Sequence, residues 1–261
     1  MTTSSLGTAL ITGASSGIGA IYADRLAKRG HNLILVARNR DRLVSLARRI
    51  TTGRNVETVE ADLTSPADLQ RVENILRSNA SISMLVNNAG VGATAPLLAS
   101  DIGKMEDMIA LNVNVLTRLT YAAVPAFVKR EGATLVNIAS IVAISPETLN
   151  GVYGATKAYV LALGHSLQHE LAGQGVRIQT VLPGATATEF WDIAGLPVQH
   201  LPSEIVMTAE NLVDAALAGL DQGEAVTIPA LQDKAQWDAY EAARVAMSGR
   251  LSSSQVAPRY A

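Results

Sequence analysis

Seven short stretches of the chain are apolar without alternation: Thr8–Thr12, Asn32–Ala37, Val56–Glu60, Met84–Asn87, Thr134–Ala139, Ile178–Leu182 and Ala225–Ile228. A strand with one wet face alternates apolar and polar residues, whereas a strand buried on both faces does not. These runs therefore predict strands sandwiched between layers. Between them the period changes. Ile18, Tyr22 and Leu26 recur every four residues. Leu69, Val72, Ile75 and Leu76 form one stripe behind Thr64-Ser65-Pro66, a cap and a first-turn proline. Longer helices are predicted over 104–129 and 151–172, the second stopped by Gly173-Gln174-Gly175, and another over 210–220. Strand and helix alternate from end to end, and such connections are right-handed. The pattern predicts one doubly wound α/β domain: a seven-stranded parallel sheet with helices on both faces.

One stretch breaks the rhythm. From Ala185 to Met207 neither period is visible, although Phe190, Trp191, Ile193 and Leu196 make it apolar. Irregular segments beyond ~15 residues in a compact domain are often functional, so a lid is expected over 185–207. The tail over 231–261 places Trp237, Tyr240 and Ala243–Val245 at helical spacing. It is expected as an extension that packs on its own subunit or on a neighbour.

Composition narrows the chemistry. The absence of cysteine removes thiol nucleophiles, thiolate-ligated metals and disulfides. A net charge of −2 gives no footprint for nucleic acid. No apolar run reaches the ~20 residues that span a bilayer, and MTTSSLGTAL lacks the basic and apolar regions of a secretory signal. A cytoplasmic protein is expected. His165 and His169 are four apart on a helix, but no third ligand accompanies them, so no metal is expected.

The first strand runs into Thr12-Gly13-Ala14-Ser15-Ser16-Gly17-Ile18-Gly19 and then a helix. Glycines at 13, 17 and 19 permit a tight turn and close approach of a ligand, and the helix N-terminus offers free N–H groups to a diphosphate. No Gly-Lys-Ser/Thr follows, so this is not a P-loop. About 20 residues on, an acid would hold ribose hydroxyls and an arginine would accept a 2′-phosphate. Ala37 occupies the acid's place and Arg38 follows it. NADP(H) is therefore preferred, with NAD(H) as the alternative.

Ser140 ends the fifth strand, and Tyr153 and Lys157 share a helix face at four-residue spacing. An ammonium beside a phenol favours the phenolate and lowers a pKa near ~10, which suits proton transfer near neutral pH. The serine hydroxyl can hold a carbonyl oxygen.

These motifs together resemble the short-chain dehydrogenase/reductase family, in its single-domain, Rossmann-type branch. The resemblance covers about residues 8–230 and adds Asp62-Leu63, Asn87-Asn88-Ala89-Gly90, Asn112 and Pro183-Gly184, in the family's order. It implies that Tyr153 is the acid/base, that Lys157 lowers its pKa and binds the nicotinamide ribose, that Ser140 polarises the carbonyl, and that Asn112 holds a relay water. It implies a cofactor site of Gly13, Ser15, Ser16, Gly17, Ile18, Gly19, Arg38, Asp62, Leu63, Asn88, Ala89, Gly90, Tyr153, Lys157, Pro183, Gly184, Thr186 and Thr188. Within that set Asp62 and Leu63 meet the adenine, Asn88 and Gly90 line the adenosine ribose, and Thr186 and Thr188 meet the carboxamide and diphosphate. Many NADP-preferring members carry a basic residue where this chain has Ser16. Members of this size form homodimers or homotetramers through the two long helices.

The apolar lid, free of lysine and arginine, together with Ile141, Val142, Ile144 and Leu149, predicts a small-molecule substrate: an uncharged, fairly hydrophobic ketone or aldehyde, or the matching alcohol. A 3-oxoacyl-carrier-protein reductase is an alternative, as is a dinucleotide-binding regulator without turnover. Nucleotide-sugar epimerases have a longer carboxyl-terminal domain than residues 229–261 allow.

Overall fold

The computed structural model describes residues 6–130 and 132–260. The chain divides into two compact units, residues 1–229 and 230–261. The first unit alternates as its sequence pattern predicts. β1 (Thr8–Thr12), α1 (Gly17–Lys28), β2 (Asn32–Ala37), α2 (Arg40–Arg49), β3 (Val56–Glu60), α3 (Pro66–Ser78) and β4 (Ile82–Asn87) come first. Then follow α4 (Ile102–Ile109), α5 (Leu116–Val128), β5 (Ala133–Ile138), α6 (Gly151–Glu170) and β6 (Val176–Val181). The lid holds β7 (Thr186–Ala187), α7 (Phe190–Ala194) and β8 (Met207–Thr208), and α8 (Ala209–Asp221) and β9 (Val226–Thr227) close the unit. The second unit contains α9 (Lys234–Ser248), on which the Trp237 and Tyr240 rings stack with centroids 5.3 Å apart.

Seven strands form one parallel sheet in the order β3-β2-β1-β4-β5-β6-β9. Successive residues of a strand face opposite sides, so each strand feeds two cores. Ile11, Leu35, Val86 and Val136 pack with Tyr22 and Leu26 of α1 and Leu212 and Leu217 of α8. Their neighbours Leu10, Ile34, Leu85 and Leu135 pack with Val72 and Leu76 of α3 and Leu119 and Phe127 of α5. Burial of such a side chain stabilises the fold by about 1.5–3 kcal/mol, and two filled faces explain the unalternating runs. The strand order reverses between β1 and β4, which opens a crevice at the carboxyl ends of the strands.

Three sequence expectations change. Strand β3 lies at the sheet edge and buries only Val59, leaving Glu57 and Glu60 exposed. The helix expected over 104–129 is interrupted at Ala110–Val115 by a π-helical turn. The lid is not irregular throughout: β7 and β8 pair in parallel, Thr186 with Met207 and Ala187 with Thr208, and α7 makes a short helix. A two-residue strand and a five-residue helix are too short to print a period on the sequence. Among the described residues no helix is long and apolar enough to cross a membrane, and no group of three or more acidic or histidine side chains could hold a metal ion.

Candidate active site

The glycine turn lies between β1 and α1. Gly13 and Gly17 adopt φ of 65° and 52°, a region that disfavours residues with a Cβ. A Cβ on Gly19 would stand 2.4 Å from the Gly13 carbonyl oxygen, so α1 can begin against the turn only with glycine there. Ser16 is the N-cap of α1 but makes no capping bond, and the first turn carries no acid. The N–H end of α1 is thus left for an incoming anion. This cradle fits a dinucleotide diphosphate. Thr188 borders it, since a Cβ on Gly17 would lie 3.1 Å from its methyl group.

Thr12, to which the sequence assigns no separate role, locks the turn to β4. Its Oγ1 accepts from the Asn88 and Ala89 N–H groups at 3.0 Å each and donates to the Val86 carbonyl at 3.3 Å. The Asn88 side chain turns the same way, donating to the Thr12 and Gly13 carbonyls at 2.9 and 3.2 Å. Its amide therefore holds the turn in shape. Gly90 stands against Asn112 and Lys157, with contact distances of 3.0 and 3.5 Å from an added Cβ. At the ends of β2 and β3, Arg38 is exposed and Asp62 lies in its field. Asp62 is held below the usual carboxylate range chiefly by hydrogen bonds from Thr64, with Arg38 adding to the effect. The Leu63 side chain is part of the core, which leaves its main chain for a base.

Ser140, Tyr153 and Lys157 converge at the end of β5. The Ser140 hydroxyl donates to the Pro183 carbonyl at 3.3 Å, accepts from the Val142 N–H at 3.3 Å and bonds to the Tyr153 phenol. Asn150 caps α6, accepting from the Val152 and Tyr153 N–H groups at 2.9 and 3.2 Å. Its amide donates to the Ala95 carbonyl at 2.6 Å, so one residue sets both the start of α6 and the loop after β4. Lys157 Nζ donates to the Ile138 carbonyl at 2.9 Å and lies 5.9 Å from the Tyr153 ring centroid.

The electrostatics correct one expectation. Burial pushes the Tyr153 phenol up to about 12, against the pull of the Ser140 hydrogen bond. Burial brings the Lys157 ammonium down to about 8. In this state desolvation outweighs any help from lysine to phenolate, because both groups are enclosed and burial shifts each toward its neutral form.

Asn112 sits in the π-turn. Its amide donates to the Val91 carbonyl at 2.8 Å and to Thr156 Oγ1 at 3.1 Å, and its oxygen accepts from the Val91 N–H at 3.0 Å. Thr156 in turn donates to the Tyr153 carbonyl at 2.8 Å. The Asn112 side chain is thus occupied, and a relay water would have to use its main chain. In the lid, Thr186 Oγ1 donates to the Gly184 carbonyl at 3.0 Å, and Trp191 Nε1 donates to the Thr186 carbonyl at 3.0 Å. Phe190 lies on Tyr153, with ring centroids 5.7 Å apart. It packs with Met105, Met108 and Val142 around Tyr153, a residue only 5% exposed. The sequence marks Phe190 as lid lining; its place on Tyr153 is set by chain folding that no local pattern encodes.

Known proteins share this fold. A family model described as short chain dehydrogenase matches residues 7–194. A short-chain dehydrogenase from Sphingobium yanoikuyae, solved with NADPH, superposes with a TM-score of 0.94 at 48% identity, covering 98% of this chain and 100% of that one. A bulky-bulky ketone specific alcohol dehydrogenase from Comamonas testosteroni gives 0.90 at 41% identity, covering 98% and 99%. Sulfoacetaldehyde reductase 2 from Chromohalobacter salexigens is 36% identical over 184 residues, 69% of this chain and 73% of that protein. Motif order, sheet topology and these likenesses lead to one assignment: the chain belongs to the short-chain dehydrogenase family and is an NAD(P)-dependent oxidoreductase acting on CH–OH and C=O groups.

Proposed function

We propose that the protein is an NADP(H)-dependent reductase of hydrophobic, uncharged ketones or aldehydes, working in the cytoplasm as a homodimer or homotetramer. The observation that carries this reading is the meeting of the Ser140 and Tyr153 hydroxyls beside Lys157 at the carboxyl end of β5. The bound nicotinamide supplies the hydride. Gly13, Ser15, Ser16, Gly17, Ile18 and Gly19 would hold its diphosphate, Arg38 the 2′-phosphate, Asp62, Leu63 and Ala89 the adenosine end, and Pro183, Gly184, Thr186 and Thr188 the nicotinamide side. Ser140 donates a hydrogen bond to the substrate carbonyl oxygen. Tyr153, protonated at neutral pH, donates its proton to that oxygen as negative charge develops. Lys157 lies behind the phenol, where a cation opposes the charge left on Tyr153. Asn112, through its main chain, is the proposed station of a relay water. Positioning and proton transfer are the protein's share of the catalysis.

For the phosphorylated cofactor the support is Arg38 without an acid at Ala37, and the NADPH held by the Sphingobium yanoikuyae relative. For the substrate it is the apolar wall of Met105, Met108, Val142 and Phe190 around Tyr153. The ketone specificity of the Comamonas testosteroni relative points the same way. For an oligomer it is the exposure of Leu97 and Leu98 in the turn before α4 and of Ile102, Tyr121 and Tyr159 on α4, α5 and α6, more apolar surface than a free face needs.

The test follows loss of reduced-cofactor absorbance with NADPH and with NADH, against a panel of hydrophobic ketones and aldehydes, with Tyr153→Phe in parallel. Turnover favouring NADPH and lost in the variant is expected. Cofactor binding with no turnover on any carbonyl would point to a non-catalytic dinucleotide-binding role. Light scattering behind a sizing column tests the assembly.

A further inference from the structure

We propose that Glu189 and Arg42 are positioning residues for catalysis: their ion pair straps α7 to α2 and so pins Phe190 over Tyr153, setting how bulky a carbonyl substrate can be. The chain carries Glu189 and Phe190 as neighbours at the start of α7. Arg42 Nη1 donates to the Glu189 carboxylate at 2.5 Å, across 147 positions of sequence. The Ser16 hydroxyl of the glycine turn bears on the same carboxylate. One residue further on, the Phe190 ring meets Tyr153 at 5.7 Å and the edge of Trp191 at 5.6 Å. Its Cζ stands 2.2 Å from where a Cβ on Gly92 would be, so that glycine leaves the room the ring occupies.

α7 is held at both ends by different chemistry. At its carboxyl end the Ala194 carbonyl accepts from the Thr94 N–H at 3.1 Å and from Thr94 Oγ1 at 2.8 Å. At its amino end the Glu189 carboxylate is held by Arg42, with Ser16 bearing on it, and the Phe190 N–H donates to Thr188 Oγ1 at 3.4 Å; the Arg42 and Glu189 side chains are 49% and 54% exposed. A half-exposed pair adds little to global stability. It shifts a local equilibrium by a factor of about two to five, which suits a cover that must move. Tyr153 is only 5% exposed and Phe190 is part of its cover, so displacing the ring gives a substrate room. A small ketone needs a small displacement. A ketone with large groups on both sides needs the strap to yield.

The substrate half of this proposal rests on the carbonyl-reductase reading; the strap itself does not. The chain has two tryptophans, so Trp237→Phe leaves Trp191 as the sole reporter of α7. In that background Glu189→Gln and Arg42→Gln should each raise acrylamide quenching of Trp191, and the charge swap R42E/E189R should restore the wild-type value. In steady-state assays Glu189→Gln should raise kcat/KM for bulky over small ketones about two- to fivefold. The gain should lie in KM with kcat unchanged, be reversed in the swap, and be absent on a Phe190→Ala background. Unchanged quenching in Glu189→Gln overturns the strap whether or not the enzyme turns over. A selectivity ratio that stays fixed, or that the swap fails to restore, overturns the positioning role. A wild-type chain inert on every carbonyl overturns the reductase reading instead, and the quenching result still decides the strap.

Discussion

Asn112 grips the main chain of Val91 at both of its polar groups, donating to the carbonyl at 2.8 Å and accepting from the N–H at 3.0 Å. A carboxamide matches one residue's N–H and carbonyl in this way, and Asn112 adds a third bond to Thr156 on α6. The interrupted helix, the loop after β4 and the helix carrying Tyr153 are thereby joined at one buried residue. Asn112→Ala should lower stability by roughly 1–3 kcal/mol, because the Val91 groups lose their partner, and should reduce kcat. Asn112→Asp should be no better, since it sets an acceptor against the Val91 carbonyl. Urea unfolding of the two variants checks this; an alanine variant as stable as wild type would show that the grip is idle.

Tyr153→Phe should cut kcat/KM for ketone reduction by about 10²–10⁴-fold while leaving cofactor affinity within about twofold. Ser140→Ala should lose less, because the phenol still supplies the proton. Equilibrium fluorescence titration of NADPH separates binding from turnover. Equal loss of both in Tyr153→Phe would mean that the hydroxyl serves cofactor binding rather than proton transfer.

The buried Lys157 leads to a pH prediction with a definite sign. The native ammonium gives up its proton near pH 8, whereas in the unfolded chain it keeps it to about 10.4. Between these values the unfolded state binds more protons, so wild-type stability rises with pH across the window relative to a chain without this group. Lys157→Met should therefore be inactive, more stable than wild type at pH 7, and lose that advantage by pH 10. Denaturation of both proteins at pH 7, 8.5 and 10 measures the difference; a constant gap across the series counts against a depressed lysine.

At the adenosine end, Arg38 is exposed and nothing acidic stands at Ala37. Replacing the pair, A37D with R38A, should move the ratio of kcat/KM for NADPH over NADH by at least about tenfold toward NADH. An unmoved ratio would place 2′-phosphate recognition elsewhere.

The sheet was legible because both its faces are buried, which writes the strands as plain apolar runs. The glycine turn was legible because close approach leaves no substitute for glycine at 13, 17 and 19. Tyr153 and Lys157 were readable as one helix face. Other features had no local signal. Asn88 reads as a ligand contact, but its side chain is spent on the carbonyls of residues 12 and 13, and composition cannot distinguish the two uses. The fall in the Lys157 pKa depends on how tightly the site encloses it. The Arg42–Glu189 pair joins residues 147 apart, and the π-turn shifts the helical phase by a single residue, too little for the apolar pattern of so long a stretch to mark.

That π-turn, at Ala110–Val115, makes chain length itself a structural constraint at this spot. A π-turn holds one residue more than an α-helical path needs. Deleting one codon there would let the helix run straight, and would rotate α5 by about 100° against α4. Met105 and Met108 beside Tyr153 could then no longer share a helix with Leu119 and Phe127 against the sheet. Asn112 apart, the stretch should accept single substitutions more readily than any single-residue deletion, behaving in a mutational scan like a reading frame within the fold.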